Sequence, residues 1–173
     1  MSFCSIDYAN KLVKRLQQLQ SSIINQESST SVYSHYFNEE PIIPEYNFAK
    51  TQTKINAIED MIITIKHEVR VANMAGKLKN FPDMSVDEAI LKLAFLNKRK
   101  TRLERLANTI PEHTRTLGGA KGSEIYKANF DVGKAKRAYH NLMETIAKIQ
   151  DELNTFNVLT QVKIPDSVND LFN

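Results

Sequence analysis

The residues of this sequence that could hold a metal ion do not fall at the required spacings. His67-Glu68 begins like the His-Glu-x-x-His zinc motif, in which two histidines four residues apart face one metal. Position 71 is Val71, so the second histidine is missing. A carboxylate di-metal centre in a helical bundle needs Glu-x-x-His on two helices, and no glutamate here is followed by a histidine at the third position. We therefore expect no metal site and no cofactor.

Phosphate-handling and nucleophilic chemistry also lack a matching motif. Lys121-Gly122-Ser123 has the composition of a phosphate-binding loop, but a Walker loop needs the order Gly-Lys-Ser/Thr between a strand and a helix. We interpret this stretch as a flexible connector. His140 has no Asp or Cys partner at a readable spacing, and Cys4 is the one thiol. The sequence names no catalytic residue and leans against an enzyme, although a site assembled from separate helices would leave no linear motif.

The densest basic cluster of the chain lies between positions 98 and 105. Within it Lys98, Arg102 and Arg105 fall on one face of a helix by their spacing. Such a face could bind phosphates or an acidic partner, or it could be a solvated surface with Glu104 alongside. The sequence suggests no aromatic residue between these cations that would stack on a base. We take Lys98, Arg102 and Arg105 as a candidate partner-binding face and disfavour nucleic acid without excluding it.

Composition sets the wider frame for these residues. The chain has 173 residues, of which 42% are apolar and 25% are charged, with a formal net charge of +3. This size allows one domain with a hydrophobic core, and we predict a single domain over residues 1–173. The longest apolar runs cover only a few residues, which predicts neither a transmembrane segment nor a signal peptide. With one cysteine and no internal disulfide, a cytoplasmic location is the default expectation.

Apolar residues recur at helical spacing in four segments, and proline and most of the glycines fall between them. The predicted helices cover about 5–26, 48–75, 86–109 and 132–157. Ser85 to Glu88 has the pattern of a capping box at the start of the third helix, and Asp131 suits the N-cap of the fourth. The second helix has the clearest seam, with a mean spacing near 3.5, formed by Phe48, Thr51, Ile55, Ile58, Ile62, Ile65, Val69 and Ala72.

The remaining segments read as connectors. Residues 27–47 contain four acidic residues and no Lys or Arg, together with more aromatic and β-branched residues than a disordered tether carries. We expect this extended linker to pack on the bundle or on a partner chain. Apolar and polar residues alternate near 124–130 and 158–164, so short strands are possible in both segments. The predicted fold class is all-α, an antiparallel bundle of four helices, three of them long.

Continuous seams also permit helices of two chains to pair. We predict a homo-oligomer, most simply a two-fold dimer. Lys100 falls where the seam of the third helix expects an apolar residue. Its stem can pass the apolar layer while its ammonium reaches water, or it can set the register of pairing as single polar seam residues do.

Several motifs occur together in an order that resembles the septicolysin-like family of small bacterial helical proteins. The resemblance covers roughly residues 50–164 and is carried by Ala72-Asn73, the run 83–90, Phe130-Asp131-Val132, Ile149-Gln150 and the run 156–162. It implies a bundle of long helices in a bacterial protein. The family name also implies a membrane-active toxin.

Taken together, these patterns predict a non-enzymatic cytoplasmic protein that acts through oligomerisation and protein partners. One alternative is nucleic-acid association through the basic helix face. The other is the membrane-active protein that the family name implies.

Overall fold

Helices and short strands alternate along the chain in the computed structural model, which describes residues 2–116 and 122–171. The strands are β1 (Ser2–Ser5), β2 (Lys77–Leu78), β3 (Phe81–Ser85), β4 (Glu112–Thr116), β5 (Ser123–Lys127) and β6 (Gln161–Ile164). The helices are α1 (Ile6–Thr30), α2 (Phe48–Ala75), α3 (Val86–Ala107), α4 (Val132–Leu159) and the short α5 (Ser167–Asp170).

The predicted all-α four-helix bundle is wrong, because the protein combines four long helices with three small antiparallel sheets. The sheets pair β1 with β6, β2 with β3, and β4 with β5. Strands this short leave little alternation in the sequence, and β1 pairs with a strand from the other end of the chain. A helical period therefore reveals the helices but not these pairings.

The chain divides into two compact units. Unit 1 contains the residues up to Ala75 together with those from Phe156 onward, and unit 2 contains Gly76–Thr155. Helix α1 continues to Thr30 rather than ending near position 26. The backbone amide of Ser31 donates to the carbonyl of Glu27 over 2.8 Å, so helical hydrogen bonding continues to the end of α1.

Unit 1 is a pair of antiparallel helices closed by the terminal strands. The side chain of Gln20 in α1 donates to Glu59 in α2 over 2.7 Å, and that of Gln52 donates to Glu27 over 3.4 Å, which fixes the opposite directions of the two helices. Their shared core is aliphatic. It consists of Ile6, Ala9, Leu12, Val13, Leu16, Ile58, Ile65, Val162, Ile164 and Val168.

Strand β1 places Cys4 in ordered structure. It pairs with β6 in the register Ser2 to Ile164 and Cys4 to Val162. Cys4 is half-buried against the core of unit 1, and burial raises the pKa of its thiol. Cys4 is a free thiol within a paired strand, and its raised pKa favours the protonated, poorly nucleophilic form.

Unit 2 contains a second antiparallel helix pair, formed by α3 and α4. At one end the backbone of Asn80 donates to the Glu152 carboxylate over 3.1 Å, joining the segment before α3 to the far part of α4. At the other end the amide of Ala128 donates to the carbonyl of Pro111 over 2.8 Å. Each of these two helices also has a set of buried apolar residues: Val86, Ala89, Leu96 and Ala107 in α3, and Val132, Ala135, Leu142, Ile146, Ile149 and Leu153 in α4.

Helices α1 and α3 begin in the same way. Each follows a strand, and its N-cap serine has extended backbone and accepts from the amide three residues later, over 3.2 Å at Ser5 and 3.1 Å at Ser85. The first helical residue is a fully buried β-branched residue, an aspartate follows, and the fourth residue is a fully buried alanine. A shift of 80 positions therefore aligns the two helices.

Candidate partner-binding face

The three predicted site residues share one exposed face of α3. Lys98, Arg102 and Arg105 are all exposed, and the same face extends toward the start of the helix through Leu91 and Phe95. Leu91 is 58% exposed and Phe95 is 67% exposed. We call these five residues the α3 stripe. They are spaced four, three, four and three residues apart, which keeps them on one side of the helix over roughly 21 Å.

The α3 stripe brings an aromatic ring to the cations, contrary to the expectation that none lies among them. The Nζ atom of Lys98 lies 5.9 Å from the centroid of the Phe95 ring, within the range of a cation–π interaction. The spacing from Phe95 to Lys98 and Arg102 carried this signal in the sequence. It is obscured because α3 also has an inner apolar seam, so Phe95 reads as part of the general apolar content of the helix.

The corresponding face of α1 has polar and charged residues at the positions where the α3 stripe has apolar ones. With the shift of 80 positions, Lys11 aligns in sequence with Leu91, and Arg15 aligns with Phe95. Gln18, Ser22 and Asn25 occupy the remaining three positions, and all five α1 residues are exposed. Since both helices bury the other face, the outward leucine and phenylalanine of α3 are not required to start or pack such a helix.

A second unusual surface connects α1 to α2. Residues 31–47, here called the α1–α2 loop, form neither helix nor strand, and every residue from 31 to 43 is exposed. The sequence predicted that part of this segment packs on the bundle or on a partner chain, and in the single chain Phe37 is fully exposed and Ile42 is 92% exposed. The loop carries three carboxylates, Glu39, Glu40 and Glu45, and no Lys or Arg.

The base of the α1–α2 loop is fixed to both helices. The hydroxyl of Tyr46 donates to the carboxylate of Glu27 over 2.5 Å, and this hydrogen bond raises the pKa of Tyr46. The Gln52 amide reaches the same carboxylate. A compact loop with its ends close together and its centre exposed is an Ω-like loop, a type that frequently carries binding residues.

Two carboxyl groups of unit 2 have a lowered pKa, and both lie at the N-terminus of a helix. The Ser85 amide and hydroxyl donate to Glu88 and hold the pKa of that carboxyl low, completing the predicted capping box. The amide of Lys134 donates to Asp131 over 2.9 Å, which lowers the pKa of Asp131 at the predicted N-cap of α4. Both shifts follow from donors aimed at an ionised carboxylate, and both groups have structural roles.

Across residues 2–116 and 122–171, no group of three His, Cys, Asp or Glu side chains lies close enough to bind a metal ion. The His140 imidazole lies 3.3 Å from Glu144 on the exposed face of α4. Lys121, from the glycine-rich connector, lies outside the described residues, as do its neighbours at 117–120. No helix in the described part of the chain is long and apolar enough to cross a membrane.

The part of unit 2 around the β4–β5 hairpin concentrates positive charge. Residues 98–137 contain eleven Lys and Arg against four acidic residues, whereas the whole chain carries only +3. All ten residues of β4 and β5 are exposed. Ring stacking of His113 on Tyr126, with centroids 5.0 Å apart, and an ion pair between Lys127 and Glu112 at 3.1 Å join the two strands.

Comparison with known proteins identifies a similar fold but no family. No family model matches the chain, and no curated protein matches it. The chain is similar to a crystal structure of a functionally unknown conserved protein from Corynebacterium diphtheriae, with a TM-score of 0.65 and 12% sequence identity. The match covers 94% of this chain and 100% of that one. At this identity the likeness shows that the two proteins share a fold, and it carries no function.

Proposed function

We propose that this is a non-enzymatic binding protein that acts through oligomerisation and protein partners, and that the α3 stripe binds an acidic protein surface. The observation that carries the proposal is the exposure of Leu91 and Phe95 directly beside three cations. Aromatic residues and arginine are enriched in protein interfaces. Contiguous exposed apolar area rimmed by charge is typical of such sites.

The arrangement of the α3 stripe indicates the chemistry of its partner. Apolar residues occupy the half nearest the start of α3, and cations occupy the other half. Phe95 and Arg102 are seven residues apart, about 10 Å along the helix. A complementary partner therefore presents apolar side chains followed, about 10 Å away, by carboxylates. The apolar half supplies buried area, and the cations supply orientation and a faster association rate.

Site-specific photo-crosslinking tests the proposal. A photoreactive phenylalanine analogue at position 95 should yield a discrete protein adduct in cells. The triple variant Lys98→Glu, Arg102→Glu, Arg105→Glu should remove that adduct. A matched triple variant on other exposed helix positions, Lys66→Glu, Lys136→Glu, Lys148→Glu, should retain it. Adducts that are indifferent to both triple variants would contradict the proposal.

Nucleic-acid association is the second candidate, and two observations favour it. Phe95 provides a ring beside Lys98, and residues 98–137 carry a strong positive charge. A single-stranded ligand would stack on the ring while the cations bind its phosphates. Fluorescence anisotropy with a labelled single-stranded oligonucleotide should then show affinity that falls steeply as salt rises. Binding that depends on Phe95 would support this candidate, and no binding at low salt would eliminate it.

The membrane-active alternative implied by the family resemblance has its own test. Vesicles of anionic phospholipid, loaded with a fluorescent dye, would leak on addition of the protein if it perforates membranes. Anionic headgroups repel the carboxylates of the α1–α2 loop but attract the basic residues of 98–137, so vesicle binding alone does not decide and leakage is the readout. Leakage at neutral pH would support this alternative, and intact vesicles would count against it.

A further inference from the structure

We propose that the α1–α2 loop of one copy occupies the α3 stripe of a second copy, so that two chains exchange loops in a two-fold dimer. The inference rests on the proposed function, since it names the acidic surface that the α3 stripe binds. It joins the two most unusual surfaces of the described chain. One is an exposed acidic and apolar loop, and the other is an exposed basic and apolar helix face.

The charges of the two surfaces are complementary in sign and number. The loop presents Glu39, Glu40 and Glu45, and the stripe presents three cations. Opposite charges across an interface speed the encounter and fix the orientation of the partners, even where each exposed pair adds little affinity. A nucleic acid would also satisfy the cations. It would leave the exposed apolar residues of the loop without a role, so the observations favour the loop.

The apolar residues supply the area that the charges do not. Phe37 and Ile42 extend from the loop with almost their whole side chains in water. Docking would bring Phe37 onto Leu91 and Phe95, which are more than half exposed, and the carboxylates that follow Phe37 in the loop toward the cations. Removing apolar surface from water is the main favourable contribution to association, and an aromatic ring in the centre of an interface is a common energetic anchor.

The length and stiffness of the loop suit this role. The ten residues 36–45 reach at most about 33 Å when extended, which exceeds the roughly 21 Å of the α3 stripe. The loop is fixed at its base through Tyr46 and Glu27, and it contains Pro41 and Pro44. Both features reduce the conformational entropy that is lost on docking.

Reciprocity makes the two-fold dimer the natural product. Each chain has one loop and one stripe, so each of two copies can give one loop and receive one, which is the reciprocal arrangement of a two-fold dimer. The second contact then forms within an existing complex, where the effective concentration is high. This dimer also accounts for the oligomer that the sequence predicts, through a surface other than the helix seams.

Charge-reversal substitutions on the two surfaces are the first part of the test. The mass of the purified full-length protein is measured by sedimentation equilibrium from micromolar to hundreds of micromolar concentrations. The loop variant Glu39→Lys, Glu40→Lys, Glu45→Lys should raise the dimer dissociation constant at least about tenfold. The stripe variant Lys98→Glu, Arg102→Glu, Arg105→Glu should do the same. Combining the six substitutions should restore the wild-type constant, because the charges are again opposite.

Controls separate docking from folding and from general charge effects. The variant Lys66→Glu, Lys136→Glu, Lys148→Glu changes the net charge equally and should leave the dimer unchanged. Phe37→Ser with Ile42→Ser keeps all charges and should also weaken the dimer. Circular dichroism should be the same for all variants, since the substituted side chains are exposed. A wild-type monomer at every concentration, or no rescue by the six combined substitutions, would overturn the inference.

Photo-crosslinking in the purified protein identifies the occupant. Chains with the photoreactive residue at position 95 are mixed with ¹⁵N-labelled chains, and the cross-linked peptides are identified by mass spectrometry. Cross-links from position 95 to residues 31–47 of the labelled chain are the expected result. Cross-links confined to one chain would overturn the inference. If the purified protein is monomeric while the charge-dependent adduct in cells persists, this inference fails and the binding of another protein by the α3 stripe stands.

Discussion

Helices α1 and α3 begin alike and then differ on the side that faces away from the buried residues. Each has a serine N-cap, a fully buried β-branched residue and a fully buried alanine at matching positions. Further along, the exposed residues are Lys11 and Arg15 in α1, whereas at the matching positions of α3 they are Leu91 and Phe95. The common start shows what a helix needs in this fold, and the outward difference shows what α3 has in addition.

This comparison separates folding from binding. The inner faces are constrained by burial, because losing a buried side chain leaves a cavity that the surrounding structure fills only in part. The outer face of α1 carries polar residues at the matching exposed positions, so such a helix folds without apolar residues there. The apolar residues of the α3 stripe therefore contribute to something other than the stability of the chain, and partner binding is the role that their exposure supports.

The largest expected effect concerns the matched inner leucines. Leu16 and Leu96 align between the two helices, and both are buried. Leu16→Ala and Leu96→Ala should each lower the free energy of unfolding by about 3 kcal/mol. Phe95→Ala, one position before Leu96, should change it by less than about 0.5 kcal/mol. Urea denaturation followed by circular dichroism measures all three. A large loss for Phe95→Ala would show that this ring has a folding role.

The serine N-caps should give the next largest effect. Ser85→Ala should cost about 1 kcal/mol, because it removes the hydroxyl that satisfies the Glu88 amide. Ser5→Ala should cost a similar amount or less, since Tyr8 stands where α3 has Glu88 and no reciprocal bond forms. The midpoints of thermal unfolding should fall in that order. Equal stability of Ser85→Ala and the wild type would contradict the capping role.

The next prediction concerns two half-buried polar residues that occupy matching positions in α1 and α3. Lys100 and Gln20 align, and Gln20 donates to Glu59 whereas Lys100 lies on the α3 seam. Lys100→Leu should raise stability by about 0.5 kcal/mol because the position is half-buried and a leucine would bury more apolar area there. Gln20→Leu should change stability by less than about 0.5 kcal/mol, because Glu59 is exposed and water replaces the lost donor. Lys100→Leu should also leave the oligomeric state unchanged, and a change of state would assign Lys100 to pairing.

The smallest expected effect is a pH dependence at the start of α3. The donors of Ser85 hold the pKa of Glu88 below its ordinary value of 4.5. A lowered folded-state pKa stabilises the protein above the unfolded-state value, and that contribution is lost as pH falls through the folded-state value. The stability difference between the wild type and Glu88→Gln should therefore shrink from pH 7 to pH 3. A difference that does not change with pH would mean that the charge of Glu88 is unimportant.

The sequence predicted the long helices better than the strands or the site. Seams such as Ile55, Ile58, Ile62 and Ile65 recur within a few residues, so the helical period is visible locally. Pairing of β1 with β6 joins the two ends of the chain, and no local pattern encodes it. The cations of the α3 stripe were recognised by spacing. Leu91 and Phe95 were missed because only the structure separates the outward apolar residues from the inward ones.

The central claim is that the outward apolar residues of α3 bind a partner, most directly a second copy of this chain. The variant Leu91→Lys with Phe95→Arg gives α3 the residues that α1 carries at the matching positions. Sedimentation equilibrium of this variant beside the wild type, at the same concentrations, tests the claim. We predict a dimeric wild type and a monomeric variant, and we predict equal stability to urea once both are diluted to concentrations at which the wild type is also monomeric. The same mass for both proteins would contradict it.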